Sequence, residues 1–179
     1  LTVSARPVTS WMGWQEEALP RLLADTIAGV LGSAGWTPVD DLLAELQKRK
    51  DPDEVALLRK SIETDLAAYS RAQEVIAPGV NELQVLAAGQ QAAVQAAGEV
   101  IYHGGDYCCA ELGGVARDRE IEAGELYIID AQGVYRGYWS DLSRTFVVGG
   151  EPTDLQASVY DHLAGILKDV PQLVKPGGG

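Results

Sequence analysis

The residues best placed to do chemistry are two aspartates in the stretch Leu126-Tyr-Ile-Ile-Asp130-Ala-Gln-Gly133-Val-Tyr-Arg-Gly137-Tyr-Trp-Ser-Asp141-Leu-Ser-Arg144-Thr-Phe146. Four apolar residues run straight into Asp130, which predicts a strand buried on both faces with a carboxylate at its end. A buried carboxylate needs a compensating partner. Asp141 lies eleven positions on, and an odd separation lets two residues of an antiparallel hairpin stand directly opposite one another on one face of the sheet. Facing anions repel and raise the pKa of one of them unless a cation sits between, and oxygen ligands suit a hard or borderline divalent metal. Arg144 is the competing cation supplied by the chain itself. On that reading the aspartates cap turns or pair with the guanidinium.

The other reactive side chains read as structure. His103 stands beside Gly104-Gly105 and reads as a structural or loop histidine, and His162, next to Asp161 in a helical stretch, as part of a solvated helix face. The Gly104-Gly105 and Gly113-Gly114 pairs lack the Lys and Ser/Thr of a phosphate loop and read as turns. Tyr135, Tyr138 and Trp139 read as packing aromatics that could shape a pocket if a metal pair lay beside them. Cys108 and Cys109, the only cysteines, are neighbours, poorly placed to bond to each other, and read as small buried hydrophobes of a reducing compartment.

The elements that must position the two aspartates follow from periodicity. Leu19, Leu22, Leu23, Ile27, Val30 and Leu31 predict a helix over Glu16 to Leu31, stopped by Gly32-Ser-Ala-Gly35. Asp40 to Lys48 predicts a second, with Leu42, Leu43 and Leu46 on one face. Asp51-Pro-Asp-Glu54 is a helix start. The long helix after it should bury Val55, Leu58, Ile62, Leu66, Tyr69 and Ile76 before Pro78-Gly79 breaks it. Asn81 caps another helix, whose Leu83, Leu86, Ala87 and Val94 face inward until Gly98. Strands are expected at Val100 to Tyr102, around Tyr107 to Leu112, at Leu126 to Asp130 and at Tyr138 to Val148, then a helix capped by Thr153 with Gln156 as its capping-box partner and an apolar face of Leu155, Val159, Leu163, Ile166 and Leu167. Helices, an antiparallel sheet, then a helix is an α+β plan. Pro78-Gly79 and Pro176-Gly177 form a faint echo that chance explains.

Composition narrows the partners. Of 179 residues, 46% are hydrophobic and 22% charged, enough apolar matter for a globular core. The net charge of −12 and a pI near 4.5 disfavour nucleic acid and anionic membrane as partners. Lys48-Arg49-Lys50 reads as a solvated helix end. No apolar run reaches the length of a membrane span, and Leu1 to Ser10 lacks the apolar region of a signal peptide, so a cytoplasmic location is expected. The chain starts at Leu1 without an initiator Met and stops in Lys175-Pro-Gly-Gly-Gly179, which reads as a segment of something longer.

The aspartate stretch resembles the Asp-x-Gly…Gly-Tyr-x-x-Asp-x-x-Arg-Thr-Phe hairpin of the pita-bread family, which contains methionine aminopeptidase, aminopeptidase P, prolidase and creatinase. Arg119-Glu-Ile-Glu-Ala-Gly-Glu-Leu126 resembles the turn before that family's first metal-binding strand, and Asp51 to Val55 and Pro78 to Glu82 resemble its first two helix starts. The resemblance covers Lys50 to Gly179. It implies the first half of a pita-bread fold, with helices on a curved antiparallel sheet, at residues 50–179. Residues 1–49 would be the C-terminal end of the N-terminal creatinase-like domain of the prolidase and aminopeptidase P branch. It also implies two divalent cations (Mn²⁺, Co²⁺ or Zn²⁺), Asp130 as ligand of one and Asp141 bridging both, and hydrolysis of Xaa-Pro bonds in peptides by a metal-activated water. A homodimer is compatible with it. The remaining His and Glu ligands, the general base and the substrate-binding residues are not identified within the segment, which should be inactive by itself. The sequence departs from the family at Asp130-Ala-Gln-Gly133, one residue longer than Asp-x-Gly, and at Gly113, where the family places a substrate-binding His. The rival reading is a catalytically inactive or metal-independent relative, acting as a binding module or an amidinohydrolase.

Overall fold

The computed structural model describes residues 2–3, 26–27, 29–30, 37–38 and 40–175, and the chain divides into two compact units, Leu1–Pro52 and Asp53–Gly179. In the first unit β1 (Thr2–Val3) pairs in parallel with β2 (Thr37–Pro38), and α1 spans Asp40–Lys48. Thr26, Ile27, Gly29 and Val30 are helical; the rest of the helix expected over Glu16 to Leu31, and its glycine stop, lie outside the described residues. Leu42, Leu43 and Leu46 of α1 are all exposed. Its C-terminal cations serve locally, Lys48 pairing with Glu45 and Lys50 Nζ donating to the Gln47 carbonyl at 2.6 Å.

The second unit begins with α2 (Pro52–Val75), with Asp53 and Glu54 in its first turn where negative charge complements the helix dipole. The helix is where periodicity predicts it and buries Tyr69 as expected, but the rest of its buried stripe is a different set of residues. Ser61, Thr64, Asp65, Ala68, Tyr69 and Ala72 are buried, while Ile62 and Leu66 are exposed. Side chains at 61, 65 and 69 fall on one stripe of the helix, and all three make hydrogen bonds to the sheet, so the stripe can be buried without being apolar.

Helix α3 (Glu82–Ala97) has the expected cap: Asn81 accepts from the Leu83 amide, Gln84 completes the capping box, and Gly98 ends the helix in the left-handed conformation. Its buried face, Glu82, Val85, Gly89, Ala93 and Ala97, differs from the expected one, since Leu83 and Val94 are exposed. Small residues win the inner positions because they permit close approach. A Cβ at Gly89 would stand 2.8 Å from the Tyr107 hydroxyl, and that hydroxyl is committed to His103, so the ring cannot swing away freely. Gly89→Ala should therefore destabilise the unit by about 1–3 kcal/mol through overpacking, against a helix-propensity gain of about 1 kcal/mol; urea unfolding measures the balance.

The sheet has the order β3 (Tyr102–Cys109), β4 (Leu126–Tyr135), β5 (Tyr138–Val147), all antiparallel. Arg136 and Gly137, both at positive φ, form the tight turn between β4 and β5. The two strands expected on either side of Gly104-Gly105 are one strand that runs through both glycines. Gly105, at φ +139°, lies against the Asp130 carbonyl where a Cβ would collide, so the pair allows strand contact instead of making a turn.

In β4, Tyr127, Ile129, Ala131 and Gly133 are buried, whereas Leu126, Ile128, Asp130 and Gln132 are only partly covered. The strand expected to be buried on both faces thus has one face against α2 and α3 and one more open. Tyr69, Val85, Tyr107, Ile121, Tyr127, Ile129 and Val148 form the core on the covered side. On the open side α4 (Asp154–Leu173), capped by Thr153 and Gln156 as expected, lies over a cavity of about 730 Å³ lined by Leu126, Ile128, Thr145, Val147, Leu155, Val159 and Leu163. None of its residues is buried.

Candidate metal centre

Asp130 faces Ser143, and Asp141 faces Gln132. The aspartates are diagonal neighbours rather than the directly opposed pair expected from their odd separation, because the two-residue turn at Arg136-Gly137 fixes the register two positions away. Ser143 and Asp141 are two apart on one strand, so both carboxylates still project from the same, open face. Diagonal partners remain within reach of each other, and the Asp141 charge acts on the Asp130 carboxyl. The order along this face is Leu126 and Val147, Ile128 and Thr145, Asp130 and Ser143, Gln132 and Asp141, so the apolar floor of the cavity runs up to the carboxylates.

Burial, then the negative charges of Asp141 and Asp106, push the Asp130 carboxyl above the ordinary carboxylate range. Arg144 does not offset this: its guanidinium donates to the Ser143 carbonyl at 2.6 Å, and among the described residues no ion pair joins it to either aspartate. A raised carboxyl pKa means that the folded state binds the proton more tightly than the unfolded one. Stability is then highest below the ordinary Asp value and falls as pH rises from that value through the raised one. The metal-free chain with Asp130→Asn should lose this decline and melt a few degrees higher than wild type at pH 7, a comparison that differential scanning calorimetry at pH 4 and pH 7 makes directly.

Two carboxylates on one face, close enough to repel and, among the described residues, without a protein cation paired to them, are a donor set suited to a hard divalent ion. They supply only part of a coordination shell. Among the described residues no group of three or more His, Cys, Asp or Glu side chains is arranged to hold a metal ion.

Asp106 was missed by sequence reasoning. It faces Asp130 directly across β3 and β4, which becomes visible only once β3 is a single strand running through Gly104-Gly105. Its Oδ2 occupies the space that a side chain at Gly113 would need. The residue at the position of the expected substrate-binding His could not carry an imidazole without displacing this carboxylate.

Beneath the sheet, a polar layer ties α2 to the strands. Ser61 donates to the Gly133 carbonyl at 3.1 Å. His103 Nδ1 donates to Asp65 Oδ1 at 3.0 Å, which leaves Nε2 to accept from the Tyr107 hydroxyl at 2.8 Å. The expected structural role of His103 thus has a definite partner, which the sequence did not name. Asp65 Oδ2 is buried with no hydrogen-bond partner.

A second anchor holds the loop after β3. Glu82, fully buried, accepts from the Cys109 amide at 2.9 Å and from the Arg117 amide, Nε and Nη2 at 2.8–3.1 Å. Burial pushes the Glu82 carboxyl up, but these donors outweigh it and hold it below the usual carboxylate range. Cys108 and Cys109 are free and buried, and burial raises both thiols, Cys109 to about 12.

The model of metallopeptidase family M24 matches residues 56–178. The chain is 31% identical over 147 residues to the Xaa-Pro aminopeptidase of Escherichia coli strain K12, covering 79% of this chain and 32% of that protein. It is 30% identical over 167 residues to the Xaa-Pro dipeptidase of Pyrococcus horikoshii, covering 90% and 47%. Among solved structures, proline aminopeptidase P II from Yersinia pestis superposes with a TM-score of 0.73 at 28% identity, covering 89% of this chain and 41% of that one. The prolidase from Pyrococcus horikoshii does so at 0.68 and 28%, covering 82% and 43%. The chain belongs to metallopeptidase family M24, and its α+β arrangement is that of the pita-bread fold. It spans less than half the length of these relatives.

Proposed function

We propose that this chain contributes Asp130 and Asp141 as metal ligands to a dinuclear peptidase that cleaves the Xaa-Pro bond at the N-terminus of peptides or in dipeptides. The observation that carries the reading is the pair of same-face, diagonally placed carboxylates, with Asp130 pushed up by burial and then by its acidic neighbours. Such an arrangement is costly unless cations belong there. The named relatives, an Xaa-Pro aminopeptidase and an Xaa-Pro dipeptidase, supply the substrate class. When bound, two divalent ions would acidify a water and stabilise the developing oxyanion; Mn²⁺, Co²⁺ and Zn²⁺ all suit the two oxygen donors. The chain's own part is to hold the carboxylates on a ladder whose register fixes their spacing, beside an apolar floor on which a nonpolar substrate group can rest.

On this reading residues 50–179 are the first part of the catalytic domain, and residues 1–49 the end of an N-terminal domain of the creatinase type. The free, buried thiols fit a cytoplasmic setting, and among the described residues no helix is long and apolar enough to cross a membrane. The test is cleavage of an Xaa-Pro dipeptide and of a longer peptide with proline at the second position, by the full-length polypeptide that carries this chain. Activity should vanish with a chelator and return with Mn²⁺. Cleavage that survives chelation and the loss of Asp141 would refute the reading.

A second reading is favoured by the Asp106 and Gly113 pair. With a carboxylate where a side chain at residue 113 would sit, the segment lacks the imidazole that its resemblance leads one to expect, as a non-hydrolytic or amidinohydrolase relative would. Absence of Xaa-Pro cleavage by the folded full-length polypeptide, with and without added divalent metal, selects that alternative.

A further inference from the structure

The stripe of α2 that carries Ser61 and Asp65 ends in Tyr69, which reaches the seam between the two strands that bear the aspartates. Its hydroxyl accepts from the Ala131 amide at 3.2 Å. It has two carbonyls to donate to, Ile129 at 3.0 Å and Leu142 in closer contact. Ala131 and Leu142 are register partners, and each directly follows one of the aspartates, Asp130 and Asp141. One hydroxyl therefore holds the main chain of both strands at the rung between the two carboxylates, from the opposite side of the sheet. Tyr69 is 7% exposed. Burial, with Asp65 and Asp130 adding to it, raises the phenol well above its ordinary value, so the group remains a hydroxyl able both to donate and to accept. Ala131 is itself fully buried, which leaves its amide little access to water in place of the phenol.

We propose that Tyr69 is a positioning residue for the metal ligands: by bonding to Ala131 and Leu142 it sets the spacing and tilt at which Asp130 and Asp141 present their carboxylates. The proposal rests on the reading of those aspartates as ligands. A group that orients a ligand without touching the metal changes metal affinity by about 10–100-fold when it is lost. Tyr69→Phe keeps the ring and the packing and removes only the hydroxyl. Ser61→Ala is the control, because it removes another buried hydroxyl from the same helix, bonded to Gly133 and Ser140 instead.

Mn²⁺ affinity is read by electron paramagnetic resonance on the full-length polypeptide, with a thermal melt of each variant and Asp141→Ala as reference. Tyr69→Phe should weaken Mn²⁺ binding at least ten-fold, Ser61→Ala less than three-fold, with comparable losses of melting temperature. Unchanged affinity in Tyr69→Phe, or equal losses in both variants, overturns the proposal while Asp141→Ala still abolishes binding. If Asp141→Ala leaves Mn²⁺ binding intact, the ligand reading fails and the positioning role falls with it. The unaltered protein provides the measurement should the phenylalanine variant not fold. Because coupling between sites is reciprocal, Zn²⁺ should shift the Tyr69 ring resonances in a nuclear magnetic resonance titration, and resonances that stay fixed at saturation overturn the proposal.

Discussion

Asp141→Ala in the full-length polypeptide is expected to lower kcat/KM for Xaa-Pro cleavage by at least about 10³-fold, since the charge stabilisation supplied through a bridging carboxylate is several kcal/mol and each 1.36 kcal/mol is a factor of ten. The fold should be little disturbed. Asp141 is exposed on the open face and forms no ion pair among the described residues, so its loss removes a repulsion with Asp130 and no packing. The melting temperature in the absence of metal should stay the same or rise slightly. That split, activity gone with the fold retained, separates a ligand from a residue that merely braces the hairpin. A loss of stability with cleavage intact would make the hairpin structural and remove the basis of the proposed function.

The largest effect on stability is expected from His103→Leu. His103 and Asp65 are buried together, at 4% and 0% exposure, and one oxygen of Asp65 already has no partner. Removing the imidazole strips the other oxygen and also frees the Tyr107 hydroxyl, which accounts for an expected cost of about 3–5 kcal/mol. Urea unfolding of the 179-residue chain measures it. The double variant Asp65→Leu with His103→Leu should recover most of that loss, because replacing both members of a buried polar pair by apolar groups of similar volume is nearly neutral. A double variant as unstable as the single one would mean that the polar layer is irreplaceable for packing, and that the pairing is not what carries its stability.

These two predictions draw on different sources. Asp130 and Asp141 stand out in the chain because they flank Gly133, a turn and alternating aromatics, and a hairpin is a local object whose residues meet whatever the remainder of the fold does. The helix starts at Pro52, Asn81 and Thr153 were equally legible, since capping is settled by side chains within one turn of the backbone they satisfy. The α+β plan follows from those starts and from the change of period after Gly98.

What the chain did not reveal are the contacts made across distance. Which face of α2 and α3 turns inward was misread, because hydrophobicity favoured Ile62, Leu66, Leu83 and Val94. The sheet takes Tyr69 as expected, but beside it stand Ser61, Asp65 and Gly89, whose polar groups it bonds to or whose small size lets it come near. The partnership of His103 with Asp65 spans 38 positions, and no local rule links them. Asp106 joined the acidic face only when Gly104-Gly105 proved to be strand, a result of the close approach of Gly105 to the Asp130 carbonyl. Local spacing determined that two carboxylates share a face. The two-residue turn at Arg136-Gly137 set their diagonal register, and the tertiary structure decided the third carboxylate beside them and the tyrosine beneath, because those depend on which strands and helices come together in space.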